Sequence, residues 1–313
     1  MNTKYVLLIH AGCEDIIPER YTSDQEDAIL STLRQSLERG RSILEGDGRA
    51  VDAAQAAVMI LEDSPLFNAG RGSVFTHAGK NEMDASIMDG QSLQAGAVAG
   101  TSGIRHPVAA ARLVMDSSEH VLLMGQGAEE FAREQGLEPV DSKYFYTPSR
   151  WKEYLGGGDQ KAKGKQAFHG ADTYGTVGAV CLDRHGSLAA ASSTGGITDK
   201  KHGRVGDSPI VGAGVYANNT TCAVTCTGEG EYFIRTVAAH RASALTELRG
   251  QSLEQAIGEV LQRIQKLGGM GGMIGVDRNG HAAIEFVTQG MFRGMAREGK
   301  DSRTAMYGPP GSW

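Results

Sequence analysis

The sequence predicts an α+β fold: two mainly antiparallel sheets stacked face to face, with helices outside them. Three observations point there. The run Val177–Leu182 is too continuously apolar for a sheet with one wet face. Two hairpins resemble one another, Val177–Leu182 with Leu188–Ser193 around Asp183-Arg184-His185-Gly186, and Met273–Val276 with Ala282–Val287 around Asp277-Arg278-Asn279-Gly280. Segments of helical period lie between the strands. At 313 residues the chain can bury one large core or two modest ones.

Taken in order, Lys4 to Ile9 is a first strand. Its apolar run is too short, and lacks the basic start, for a signal peptide. Ser23-Asp24-Gln25-Glu26 offers a capping-box start to a helix whose apolar residues recur through Leu44. Gly46-Asp47-Gly48 ends it, and a second helix runs from about Ala50 to Glu62, stopped by Ser64-Pro65. A glycine-rich loop, Leu66 to Phe75, leads to a hairpin of Met83–Met88 and Ala95–Ala99 around Asp89-Gly90. Helices near Pro107–Asp116 and Ala128–Gln135 flank a short strand, His120–Met124. From about 140 to 175 the pattern decays, and Gly156 to Lys165 has nothing to bury, so a flexible linker is expected. After the first of the two similar hairpins, helices are expected at roughly Glu231–Leu248 and Leu253–Leu267.

Composition narrows the function. Glycine, at 43 of 313 residues, is about twice the usual share, which points to tight turns and to backbone close against ligand. The formal charge of −6 has no basic stripe with interleaved aromatics, so nucleic acid is excluded as an expected partner. No window of 18 apolar residues offers a membrane span. Cys13, Cys181, Cys222 and Cys226 are too few for a disulfide framework. They lack zinc-ligand spacing too, so buried thiols in a reducing cytoplasm are the expectation.

Three threonines stand beside glycines: Gly175-Thr176-Val177-Gly178, Thr194-Gly195-Gly196 and Thr227-Gly228-Glu229-Gly230. Between the last two lies Gly203-Arg204-Val205-Gly206-Asp207-Ser208-Pro209. Each has a plain reading: a strand-starting threonine, a strand-end cap, a surface ion pair between Arg204 and Asp207. Each also has a chemical one. A threonine hydroxyl becomes a useful nucleophile when a base stands beside it, and an α-amine, with a reference pKa near 8, is such a base. Arg204 can hold a carboxylate with two hydrogen bonds, and Asp207 attracts an ammonium group. The Thr227–Gly230 loop, placed before a helix, favours negative charge. Alone it serves a phosphate as well as an oxyanion.

Together these motifs resemble the plant-type L-asparaginase and isoaspartyl peptidase family of N-terminal-nucleophile (Ntn) hydrolases. The resemblance extends over nearly the whole chain and is most specific from Gly175 to Arg235. It implies a four-layer αββα sandwich as a single domain. It also implies self-cleavage between Gly175 and Thr176, giving an α subunit of residues 1–175 and a β subunit of 176–313 paired as (αβ)2. Thr176 is then the nucleophile, Thr194 tunes it, Thr227 and Gly228 hold the oxyanion, and Asn68 contacts the new amine. Arg204, Asp207, Gly228 and Gly230 bind the aspartyl moiety. Asparagine and β-aspartyl dipeptides are the implied substrates, and the nearer alternatives are relatives on the same scaffold that act on glycosylated asparagine or cut proteins as an endopeptidase. A rival of another class is a non-catalytic protein that holds a small molecule or phosphate at Gly228–Gly230. No organic cofactor is expected. A structural Na+ on the backbone carbonyls of Leu61, Glu62, Ser64, Phe67, Ala69 and Arg71 is implied by the resemblance alone. In one place the chain departs from the family: His10-Ala11-Gly12-Cys13-Glu14 stands for the usual His-Gly-Gly-Ala-Gly, and slow or incomplete self-processing is expected from it.

Overall fold

A computed structural model describes residues 4–161, 175–201 and 203–313, apart from the side chains of 157–161. The chain is mixed α+β with two sheets. It opens with β1 (Val6–Glu14), then α1 (Ser23–Glu45), α2 (Ala50–Asp63), β2 (Met83–Asp89), β3 (Ala95–Thr101), α3 (Pro107–Ser117), β4 (Leu122–Met124), α4 (Gly125–Glu134) and α5 (Pro148–Lys161). After residue 175 come β5 (Val177–Leu182), β6 (Leu188–Thr194), β7 (Val215–Ala217), β8 (Cys222–Gly228), α6 (Gly230–Thr236), α7 (Ala238–Arg249) and α8 (Leu253–Lys266). The last strands are β9 (Gly271–Asp277), β10 (Ala282–Phe286), β11 (Gly290–Arg297) and β12 (Arg303–Ala305).

Among the described residues, eight strands form one sheet in the order β12-β11-β1-β5-β6-β2-β3-β4, and four form the other as β10-β9-β8-β7. Pairing is antiparallel except between β3 and β4. The two similar hairpins, β5–β6 and β9–β10, fall one in each sheet. All residues of β5 and β6 are buried, as an apolar run with both faces covered requires.

Three apolar clusters cover the faces. Alternate residues of β1 (Leu7 and Ile9) and of β5 (Val177 and Ala179) join Leu33, Leu37, Ala54 and Val58 of α1 and α2. The residues between them, Leu8 and Val180, meet Val215, Ala223 and Ile274 of the small sheet. On the small sheet's other face, Val224 and Met273 pack on Ala242, Ile257 and Val260 of α7 and α8. Each fully buried Leu, Ile or Val in these clusters contributes about 1.5–3 kcal/mol. The period of two in the strands therefore sorts one sheet's side chains into two cores.

Several local details differ from the sequence reading. The cap of α1 is Thr22, one residue earlier than expected, with the Gln25 side chain returning a bond to the Thr22 N–H. The expected helix 231–248 is two helices. Val237, at φ 51 and ψ 51, breaks the period and turns α7 onto α8. Between 140 and 161 the chain forms a short 3-10 turn, Ser142–Phe145, and α5. Aromatic contacts organise that stretch instead of helical period: Trp151 meets Phe75 edge to face at 5.1 Å and packs at a tilt on Tyr154 at 5.2 Å. The rest of the expected linker, residues 162–174, lies outside the described residues. Strands β7 and β12, of three residues each, and β11, interrupted by Gly294, give no clear sequence signal, and β8 mixes small and polar residues. No helix among the described residues is long and apolar enough to cross a membrane. The four cysteines are free and buried.

Candidate active site

Strand pairing assembles the site. Val177 lies opposite Ser193, so Thr176 before β5 and Thr194 at the end of β6 meet at one edge of the hairpin. The Thr176 hydroxyl donates to Thr194 Oγ1 at 3.0 Å. Thr194 Oγ1 also accepts the Gly196 N–H at 3.0 Å. Both bonds point at the same oxygen, which orients the lone pairs of Thr176 away from it.

The peptide before Thr176 is enclosed. A Cβ placed on Gly175 would lie 3.0 Å from Gly12 Cα and 3.1 Å from Thr227 Oγ1. Gly12 stands in the bulge of β1 between His10 and Cys13, at φ 112, a conformation that disfavours any side chain. A Cβ on Gly12 would meet the Gly175 nitrogen at 2.4 Å. Of the three residues that depart from the family turn, Ala11 packs in the core with Ile9, Cys13 Sγ reaches the Thr227 carbonyl at 3.4 Å, and Glu14 ends β1. Burial pushes the Cys13 thiol up, so it stays protonated there.

His10 carries no signal in the sequence beyond its place in that turn. It is fully buried, with Nε2 3.4 Å from Thr225 Oγ1. Burial pulls it down to about 3, so its imidazole is neutral. Gly178 lies opposite it, and a Cβ there would strike Nε2 at 2.4 Å. Here too the glycine leaves room for a neighbour.

The glycine-rich loop after β6 brings Arg204 and Asp207 to the start of α6. A Cβ on Gly230 would lie 2.8 Å from Asp207 Oδ1 and 3.1 Å from Arg204 Nη2. Asp207 is buried, and its Oδ2 has no partner among the described residues. Burial pushes its carboxyl up to about 7, against the pull of Arg204. An orphaned buried acceptor of this kind suits an incoming ammonium group. Arg204 is paired with Glu231, which holds both Nε and Nη2 at 2.9 Å. In the sequence Glu231 shows only as a helix start. Its charge, and that of Glu229, weigh against a phosphate at this turn.

Asn68 joins the site from the loop after α2. Its Nδ2 donates to the Gly196 carbonyl at 2.6 Å, and its Oδ1 accepts from the Val74 N–H at 3.1 Å. The Gly195 N–H in turn bonds the Asn68 carbonyl at 2.9 Å. Asn68 is thus tied to the turn that carries Thr194. Leu61 and Glu62 end α2, Ser64 follows it, and Phe67, Ala69 and Arg71 line the same loop. The Glu62 carbonyl would lie 2.3 Å from a Cβ on Gly70, and the Phe67 carbonyl 2.0 Å from one on Gly72. Both oxygens pack against glycines where a side chain would clash, and neutral carbonyl donors of this kind are what hard cations accept.

The arrangement can support nucleophilic attack by Thr176 on a carbonyl whose neighbours carry one cationic and one anionic group. A family described as asparaginase matches residues 3–306. The isoaspartyl peptidase of Salmonella typhimurium is 46% identical over 312 residues, covering 97% of this chain and 99% of that protein. That of Escherichia coli is 45% identical over 309 residues, covering 97% and 96%. The isoaspartyl peptidase/L-asparaginase of Mus musculus is 40% identical over 304 residues, covering 96% and 90%.

Proposed function

The chain belongs to the asparaginase family, and from that premise we propose that it is a self-processing hydrolase of L-asparagine and β-aspartyl dipeptides. The observation that carries the reading is the 3.0 Å bond from the Thr176 hydroxyl to Thr194, next to a Gly175 peptide enclosed by Gly12 and Thr227. Cleavage of the Gly175–Thr176 bond frees an α-amine on the nucleophile itself. With an ordinary value near 8, that amine accepts a proton at working pH.

In the proposed cycle the amine takes the hydroxyl proton as Thr176 Oγ attacks the side-chain carbonyl. The Thr227 hydroxyl and the Gly228 N–H stabilise the oxyanion. The carbon–nitrogen bond then breaks, and the leaving amine carries off the proton as ammonia or as an amino acid. Water attacks the β-aspartyl ester by the same route in reverse and releases aspartate. Arg204 holds the α-carboxylate, with Asp207 and the Gly230 backbone on the α-ammonium; the unpartnered Asp207 Oδ2 supports that assignment. Asn68 steadies the Thr194 turn and stands ready for the new amine. The carbonyls of Leu61, Glu62, Ser64, Phe67, Ala69 and Arg71 would hold a sodium ion, which when bound would stiffen the loop that carries Asn68.

We read the three apolar clusters as the inter-layer cores of a four-layer αββα sandwich. The processed halves stay together as αβ units paired into (αβ)2, and free buried cysteines suit a reducing cytoplasm. A denaturing gel with N-terminal sequencing tests the reading: two bands and a chain starting at Thr176 are expected, together with aspartate release from asparagine or a β-aspartyl dipeptide. A lasting single band with no hydrolysis overturns it.

A further inference from the structure

Behind Thr194 lies a pair of buried charges that the proposed cycle does not use. Asp84 sits directly opposite Thr194 across β2 and β6 and is fully buried. Its Oδ1 accepts the Gly100 N–H at 2.8 Å, while Oδ2 has no partner among the described residues. Lys200, on the loop after β6, is 4% exposed. Among the described residues its ammonium has one hydrogen bond, 2.8 Å to the Glu82 carbonyl.

The lysine runs flush beneath the turn. A Cβ on Gly196 would lie 2.9 Å from Lys200 Cδ, 3.2 Å from Nζ and 3.5 Å from Arg204 Nη1. Gly196 is the residue whose N–H holds Thr194 Oγ1 and whose carbonyl holds Asn68. We propose that Lys200, with Asp84 as its counter-charge, is a positioning residue that fixes the Thr194–Gly196 turn and biases the field at Thr176. The inference rests on the hydrolase reading above.

Burying an ammonium costs far more than burying a neutral chain of the same length, so packing alone does not call for one. The charges facing it are Asp84, Glu82 and Arg204, with Asp207 and Glu231 beyond Arg204, and the His77–Asp199 pair on its own loop. Burial lowers Lys200, while Asp84 and Glu82 hold it charged; burial raises Asp84, while Lys200 opposes that. A positive charge here makes both the Thr176 amine and the Asp207 carboxyl harder to protonate.

The test measures kcat and KM for a β-aspartyl dipeptide against pH, normalised to the fraction of chains opened at 176. Lys200→Met should lower kcat by about tenfold with KM within about threefold. The acid limb of kcat/KM should move up by about half a pH unit. Lys200→Arg should return the limb, and Asp84→Asn should move it down. A uniform loss with every limb unmoved overturns the inference, and so does a Lys200→Met variant that matches the wild type. If Lys200→Met does not fold, the Asp84→Asn and Lys200→Arg limbs decide alone. An inactive wild-type chain overturns the hydrolase reading and this inference with it, whereas an active wild type with fixed limbs overturns this inference only.

Discussion

The Arg204 guanidinium grips Glu231 at both oxygens, Nε on Oε1 and Nη2 on Oε2, each at 2.9 Å. A free α-carboxylate bound by Arg204 would need those same donors, so substrate has to displace Glu231. Glu231 is half exposed, and such pairs contribute about 0–1 kcal/mol. Glu231→Gln should therefore lower KM for asparagine by about two- to fivefold. Arg204→Leu should raise it by about a hundredfold, since a charged hydrogen-bond pair to the substrate is lost. Steady-state kinetics on the two variants decide this, and a raised KM in Glu231→Gln would make Glu231 an orienting group instead of a competitor.

Gly12→Ala should block maturation. The new Cβ would meet the Gly175 nitrogen at 2.4 Å, and φ 112 strains it besides. An overnight incubation followed on a denaturing gel should show the intact chain, while Ala11→Gly, on the far side of β1, should change the cleavage rate by no more than about twofold.

Thr194→Val keeps the volume but removes the acceptor of two hydrogen bonds. It should cost about a hundredfold in kcat with little change in KM, because a misoriented nucleophile loses attack geometry, not affinity. A matching rise in KM would argue against this role.

Asp207 titrates in a useful window. Burial pushes it up to about 7, so below that pH the carboxyl is neutral and cannot pair with an α-ammonium. Binding should weaken as pH falls from 8 to 6, seen as a rise in KM. In Asp207→Asn the KM should be high and flat over the same range.

Stability should carry an opposed pair of pH effects. Asp207, raised from 3.8 to about 7, contributes stability that is full below 3.8 and lost as pH climbs through 7. His10, lowered from 6.5 to about 3, contributes stability that is full above 6.5 and lost as pH drops through 3. Each acts at about 1.4 kcal/mol per pH unit between its two values, with opposite sign. Denaturant midpoints of Asp207→Asn should thus rise between pH 4 and 6.5 more steeply than those of the parent chain.

Much of the site was legible because its chemistry needs particular residue types beside glycines. Thr176, Thr194, Thr227, Arg204 and Asp207 could all be picked out from local motifs, and the structure brings them to one end of the β5–β6 hairpin. Lys200, Asp84, Glu231 and His10 were not legible in the same way. A lysine in a polar loop, an aspartate in a strand and a glutamate at a helix start look ordinary until the fold shows what they face.

The sequence by itself determined the periods of strand and helix, the glycine-flanked threonines and the two similar hairpins, because these depend on neighbours within a few positions. Tertiary structure alone decided which glycine touches Gly175, that Glu231 occupies Arg204, and that Asp84 stands across from Thr194. Those relationships join residues far apart in the chain, and they depend on strand register, where a slip of one residue would turn every side chain to the opposite face.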